Sequence, residues 1–243
     1  MKILIAEDDR DIADVVEVNL RMTWPQCQVF MAADGAKALE LFSAEGPDLV
    51  ILDIEIPPPD GHELCRLIRQ ASDVPIIILS ARASTIDKVR ALDAGANDYI
   101  TKPFDHLEFQ ARLRAVTRKP RVLSTEAPAG DELPLNNDAA PGQTICAGDL
   151  TLNIDSHQLL VEGDRVRLTS TECRLLAELM KHQGHLMPYR LLLERVWGPE
   201  YEDEDKYLKV FVWRLRQKLG ERRRERRYIQ NEWGIGYRFT VAS

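Results

Sequence analysis

Cysteine is scarce and scattered in this chain of 243 residues. Cys27, Cys65, Cys146 and Cys173 lie far apart, and no two of them form a C-x-x-C. That excludes a disulfide framework and a cysteine-based zinc site, and it predicts reduced thiols or small core residues. Histidine is equally thin. His182-x-x-His185 has the spacing of a metal-binding pair, but no third ligand stands near, so a solvated turn is expected. No apolar stretch approaches the ~18 residues that a membrane span needs, which predicts no membrane partner. The N-terminus opens directly on a strand-like run, so no secretory signal and a cytoplasmic location are expected.

Hydrophobic residues make up 44% of the chain and charged residues 29%, a globular composition of a length suited to two domains. The net charge of −7 is unevenly spread. Residues 1–120 hold 14 basic and 20 acidic side chains, whereas 206–238 hold 11 and 3. An acidic first half and a basic tail predict separate tasks, with nucleic acid a candidate partner for the tail.

Strand-like runs near 2–6, 27–31, 48–53, 75–79 and 97–100 alternate with helical patterns near 10–22, 35–45, 61–70, 83–94 and 105–119. Such alternation predicts a five-stranded doubly wound parallel sheet with helices on both faces, over residues 1–120. Residues 121–145 carry Pro128, Pro134, Pro141, Gly130 and Gly142 without apolar periodicity, the composition of a flexible linker. From 146 to 243, short alternating runs at 150–154, 158–161 and 165–168 predict an antiparallel sheet. Thr169-Ser-Thr-Glu172 matches a capping box and predicts a helix to about Lys181. Further helices near 189–196 and 206–219 and a hairpin of 228–230 with 236–240 complete a winged-helix plan.

Four strand ends carry the polar chemistry. Asp8 and Asp9 follow the first run, Asp53 closes the third, Ser80 follows the fourth and Lys102 the fifth. In an open α/β sheet these ends share the ligand-binding edge. Carboxylates suit Mg²⁺, and a metal lets an aspartate accept a phosphoryl group by screening its charge. Lys102 would pair with phosphoryl oxygens, Ser80 would donate to them, and the backbone carbonyl of Glu55 is a further candidate ligand. Taken alone, Asp8-Asp9 could equally cap the first helix.

With Glu7-Asp-Asp9, Asp53, Pro57, Asp60-Gly61, Ser80-Ala81, Gly95-Ala-Asn-Asp-Tyr99 and Lys102-Pro-Phe104, residues 1–120 resemble the receiver domain of two-component response regulators. The resemblance implies that Asp53 takes a phosphoryl group from a histidine kinase with Mg²⁺. The chain would then be no enzyme apart from catalysing its own aspartyl phosphorylation and dephosphorylation. Ser80 and Tyr99 are implied as a switch pair, Ser80 moving onto the phosphate and Tyr99 rotating inward. Glu55 departs from the pattern and is expected to alter phosphoryl lifetime, and the Pro57-Pro-Pro59 run to stiffen its loop. Asp53-Ile-Glu55 also resembles the start of haloacid-dehalogenase-type phosphatases, but Glu replaces their second Asp and Pro57 stands where they have Thr.

On the third helix of the second domain, Leu208, Phe211 or Val212, Leu215 and Leu219 form an apolar face. Lys206, Lys209, Trp213, Arg216 and Gln217 lie opposite, with Arg214 and Lys218 flanking, a plan for anion contact. Leu168-Thr-Ser-Thr-Glu172, Val196-Trp197, Val210–Leu219 and Gly234-Ile-Gly-Tyr-Arg238 resemble the OmpR/PhoB class of effectors. That resemblance implies a major-groove helix carrying Lys206, Lys209, Val210, Trp213, Arg214, Arg216 and Gln217, and a wing whose Arg238 reaches the minor groove. Promoter DNA with tandem repeats follows as a partner, and RNA polymerase for the acidic loop 200–205. Arg222-Arg-Arg224 and Arg226-Arg227 are expected to be loop or backbone contacts rather than base readers. Lys88, Asp93, Asp98, Glu108, Arg112 and Arg118 are implied as the interface of a phosphorylation-induced homodimer, with Lys88–Glu108 and Asp98–Arg112 as its pairs. Some stretches, such as Val196-Trp-Gly-Pro199, are similar to KdpE-type regulators. The alternative is a phosphorylation-independent DNA-binding regulator whose receiver serves as a dimerisation scaffold.

Overall fold

Apolar runs too short for core helices become strands here, because each is bounded by a helix cap or a tight turn. In the computed structural model, residues 1–118, 143–221 and 228–241 are described. The expected linker lies almost wholly outside them, as do Arg222–Arg224, Arg226 and Arg227. Strands β1 (Lys2–Ala6), β2 (Gln28–Ala32), β3 (Leu49–Asp53), β4 (Ile76–Ser80) and β5 (Asp98–Thr101) form one parallel sheet in the order β2-β1-β3-β4-β5. Helices α1 (Arg10–Thr23), α2 (Gly35–Glu45), α3 (Gly61–Ala71), α4 (Thr85–Ala94) and α5 (His106–Thr117) connect and cover it. The strand period of two sends Ile3 and Ile5 to a core shared with Val16, Leu20, Phe109 and Leu113. Leu4 and Ala6 point to the opposite core, with Leu64, Ile68 and Leu92. Pro103 precedes α5 rather than opening it.

The second part begins with β6 (Thr144–Ala147), β7 (Leu150–Asn153), β8 (Gln158–Val161) and β9 (Asp164–Arg167), an antiparallel sheet in that order. β6 starts inside the stretch expected to be linker. Helix α6 (Ser170–Lys181) opens on the capping box of Thr169 and Glu172. β10 (Leu186–Pro188), α7 (Tyr189–Val196), a 3-10 turn (Pro199–Tyr201) and α8 (Asp205–Lys218) follow. β11 (Ile229–Glu232) and β12 (Gly236–Phe239) form the wing, and β12 also pairs with β10. Leu208, Phe211, Val212, Leu215 and Leu219 are all buried, as their spacing requires. His182 bonds to Glu178 and Arg195, which ends a helix and builds no ligand set. Among the described residues, no helix is long and apolar enough to cross a membrane.

Candidate functional site

Register assembles the acidic site. Asp53 on β3 lies opposite Leu79 on β4, so Ser80 stands one step beyond it at the same sheet edge. Gly61 brings α3 against this strand end, where a Cβ would sit 2.1 Å from the Asp53 carbonyl oxygen. Lys102 Nζ donates to Glu7 Oε2 at 2.6 Å and to Asp53 Oδ2 at 2.9 Å. Carboxylate oxygens of Glu7, Asp8 and Asp53 lie within 4.8 Å of one another. Asp9 does not join them. Its carboxylate accepts from the backbone N–H groups of Asp11 and Ile12 and caps α1, so the expected Asp8-Asp9 pair becomes Glu7 and Asp8.

Burial governs the charges. It raises the Glu7 carboxyl above its ordinary value, against the lowering effect of Lys102. Burial also pulls Lys102 down, but its bonds to Glu7 and Asp53 outweigh that and its pKa rises. Glu7 Oε1 is buried without a hydrogen-bond partner. A hard oxygen donor left bare beside two more carboxylates fits Mg²⁺.

Ser80 and Tyr99, the expected switch pair, meet at Arg82. Its N–H donates to Ser80 Oγ at 3.1 Å, and its carbonyl accepts from the Tyr99 hydroxyl. The Tyr99 ring is buried, with its hydroxyl on the loop after β4. The Arg82 guanidinium holds Glu55 Oε1 at 2.9 and 3.1 Å. Glu55 therefore answers to Arg82 rather than lying free beside Asp53.

The basic helix gives a narrower row than expected. Lys206, Lys209, Trp213 and Gln217 are exposed along one line of α8. Val210 and Arg214 are buried, and Arg214 Nη1 donates to the Ala96 carbonyl of the receiver at 3.3 Å. Arg216 is half-buried and donates to Ile229 O at 2.8 Å, a bond that ties α8 to the wing. Arg238 donates to Gly184 O at 2.7 Å and stands 3.5 Å from Glu232, at the base of the wing.

The two halves pack together through α4, β5 and α5. Asp98 is fully buried; it accepts from Arg112 Nη1 at 3.2 Å and from the Tyr201 hydroxyl, and burial raises its pKa despite Arg112. Arg112 lies over the Tyr201 ring, 4.6 Å from its centroid. The Tyr207 hydroxyl donates to Tyr99 O, Asn97 donates to Thr171, and Arg174 donates to Ala115 O. Within the chain, Lys88 pairs with Glu204 at 3.3 Å and Glu108 pairs with Arg112 along α5. The Asp98–Arg112 pair forms within one chain. Asp93 and Arg118 remain exposed. Nothing in the sequence flagged Tyr201, although a tyrosine in an otherwise acidic loop was a visible irregularity.

Residues 3–114 match the family described as Response regulator receiver domain, and residues 163–239 match Transcriptional regulatory protein, C terminal. The chain is a two-component response regulator. The regulator is similar to a mutant form of RitR, at 22% identity over 99% of both chains with a TM-score of 0.73. It is similar to DrrB of Thermotoga maritima, an OmpR/PhoB homologue, at 25% identity over 98% of both chains with a TM-score of 0.49. The BeF3-activated receiver domain of Klebsiella pneumoniae RstA is 35% identical over 49% of this chain and 99% of its own, with a TM-score of 0.46. The regulator thus joins a receiver, which implies a histidine kinase partner, to a DNA-binding transcriptional domain.

Proposed function

We propose that Asp53 is the phosphoacceptor and that its phosphorylation releases the DNA-binding domain for dimerisation on a promoter. One observation carries this reading: the face expected to form the dimer is already occupied. Asp98, Arg112 and Lys88 are engaged by Tyr201 and Glu204 in the same chain. The closed arrangement and a dimer through α4, β5 and α5 therefore compete for one surface. Lys206, in the exposed row of α8, also donates to Thr85 of α4 at 3.0 Å, so the receiver flanks the DNA-reading helix. The acidic loop before α8 faces the receiver, and an RNA polymerase contact there would need the open form.

In the transfer, an Asp53 carboxylate oxygen attacks phosphorus, and the bond to the kinase histidine nitrogen breaks. Glu7, Asp8 and Asp53, with the Glu55 backbone carbonyl, would hold Mg²⁺, which supplies charge neutralisation to the incoming phosphoryl group. Lys102 then exchanges its bond to Asp53 for one to a phosphoryl oxygen, and Ser80 Oγ donates to another. With Tyr99 already buried, the step that phosphorylation drives is the separation of the domains. The KdpE-type stretches make a potassium-linked signal the first stimulus to try.

The test is labelling of the full chain with acetyl phosphate and Mg²⁺, followed by sedimentation and DNA binding. Wild type should take label, dimerise and bind more tightly, whereas Asp53→Asn should do none of these. Equal DNA binding and promoter activation by the two would favour the phosphorylation-independent scaffold instead.

A further inference from the structure

A recess lies between the two domains beside α8. Arg69 of α3, Asp93 of α4 and Gly95 just after it supply one wall. Glu172 of α6 and Trp213, Arg214 and Lys218 of α8 supply the other. The cavity measures about 230 Å³, below the ~300–1,000 Å³ of sites for drug-sized ligands. Both domains line it, so it exists only while they are closed.

Cations outnumber anions there. Among the described residues, Arg69 donates only to neutral oxygens, those of Gly95, Ser72 and the Asn97 side chain. Arg214 Nη1 reaches the Ala96 carbonyl, but its Nη2 is buried without a hydrogen-bond partner. The buried carboxylate of this wall, Glu172, stands 4.0 Å from Arg214 and 2.7 Å from Lys218, so Lys218 claims it. Asp93 is exposed to solvent. Burial lowers the pKa of both guanidiniums, the mark of cations without full compensation. A bare buried donor carries a cost that an incoming acceptor removes.

We propose that this recess binds a small oxyanion, of the class of dicarboxylates and inorganic phosphate, which bridges Arg69 and Arg214 across the domain interface. A guanidinium presents parallel N–H donors suited to the paired oxygens of such an ion. The Trp213 ring on the same wall offers an apolar surface to a carbon stem. Because the ligand needs both domains, it stabilises the closed form, and by linkage it opposes whatever needs the open one. That last step rests on the reading that DNA binding needs the domains apart.

The test is calorimetric titration of the full, unphosphorylated chain with succinate and with inorganic phosphate. Ionic strength is held constant and Mg²⁺ is left out, so that phosphate finds no metal at the acidic site. At least one of the two ions should bind saturably, with a single ligand per chain, and the better of them identifies the source. Arg214→Met should weaken binding roughly tenfold or more, the loss of a charge-assisted bond. Asp93→Asn removes a repelling charge from an exposed position and should tighten binding about two- to fivefold, a gain that no folding defect produces. Tyr201→Phe, which loosens closure, should weaken it. Heat from neither ion, or binding that Arg214→Met leaves intact, would overturn the proposal. So would a loss that follows Lys209→Gln in place of Arg214→Met, which would put the ion on the exposed row of α8. DNA affinity in the same buffers separates the two readings. Saturable binding at the recess with unchanged DNA affinity would keep the site and end the claim that closure opposes DNA binding.

Discussion

Arg82 gathers three contacts at one residue. Its backbone holds the Ser80 and Tyr99 side chains and its guanidinium holds Glu55. If Asp53 carries a phosphoryl group, this pairing would hold the Glu55 carboxylate away from the water that attacks it. Arg82→Ala should therefore shorten the lifetime of the labelled chain by about tenfold, short of the ~10²–10⁴ that a well-positioned general base supplies. Adding Glu55→Gln should restore it. Equal decay of label in wild type, single and double variants would end the idea. Asp53, Ser80 and Lys102 could be read from the sequence because each closes or follows an apolar run at a sheet edge. The choice among Glu7, Asp8 and Asp9 could not. It depends on where β1 stops and α1 begins, and the helix cap claims Asp9.

At the level of elements, α1 carries an unusual outer face. Val15, Val18 and Met22 are exposed at helical spacing, and Leu107 is exposed at the start of α5. A groove lined by Ile12, Val15, Pro103 and Phe104 leads to Lys102. If a kinase docks on this surface, its donor histidine would reach the acidic site. Val15→Asp should slow transfer from the kinase roughly tenfold, the size of one interface anchor. Labelling by acetyl phosphate should be unaffected, and a parallel loss with both donors would point to damage within the site instead. The periodic helices and the longer strands were plain in the sequence, and so was the capping box. β6 and β10 were not. β10 has three residues and ends in Pro188, too few to show a period.

For the whole molecule, the Tyr201–Asp98 bond is the contact most open to test. Tyr201→Phe removes one hydrogen bond to a buried carboxylate, worth about 1–3 kcal/mol. It leaves the ring over Arg112. If closure opposes DNA binding, this variant should bind DNA more tightly without any phosphoryl donor, by roughly tenfold when the closed form predominates. Measured affinity equal to wild type would show that closure does not limit binding. Asp98→Asn should act in the same direction, because it removes the charge that Arg112 balances inside the interface.

Local pattern settled much of this protein by itself. Alternating strand and helix periods specified the doubly wound receiver, polar groups at strand ends specified the acidic site, and the capping box with a basic helix specified the DNA-binding half. These are short-range properties, readable from neighbours along the chain. The partners of Asp98, Lys88, Arg214 and Arg238 were decided only in three dimensions. A charged side chain takes the nearest opposite group or carbonyl in space, and here those groups come from the other domain or from a distant turn. That is why a surface expected to meet a second chain is folded against the chain's own effector.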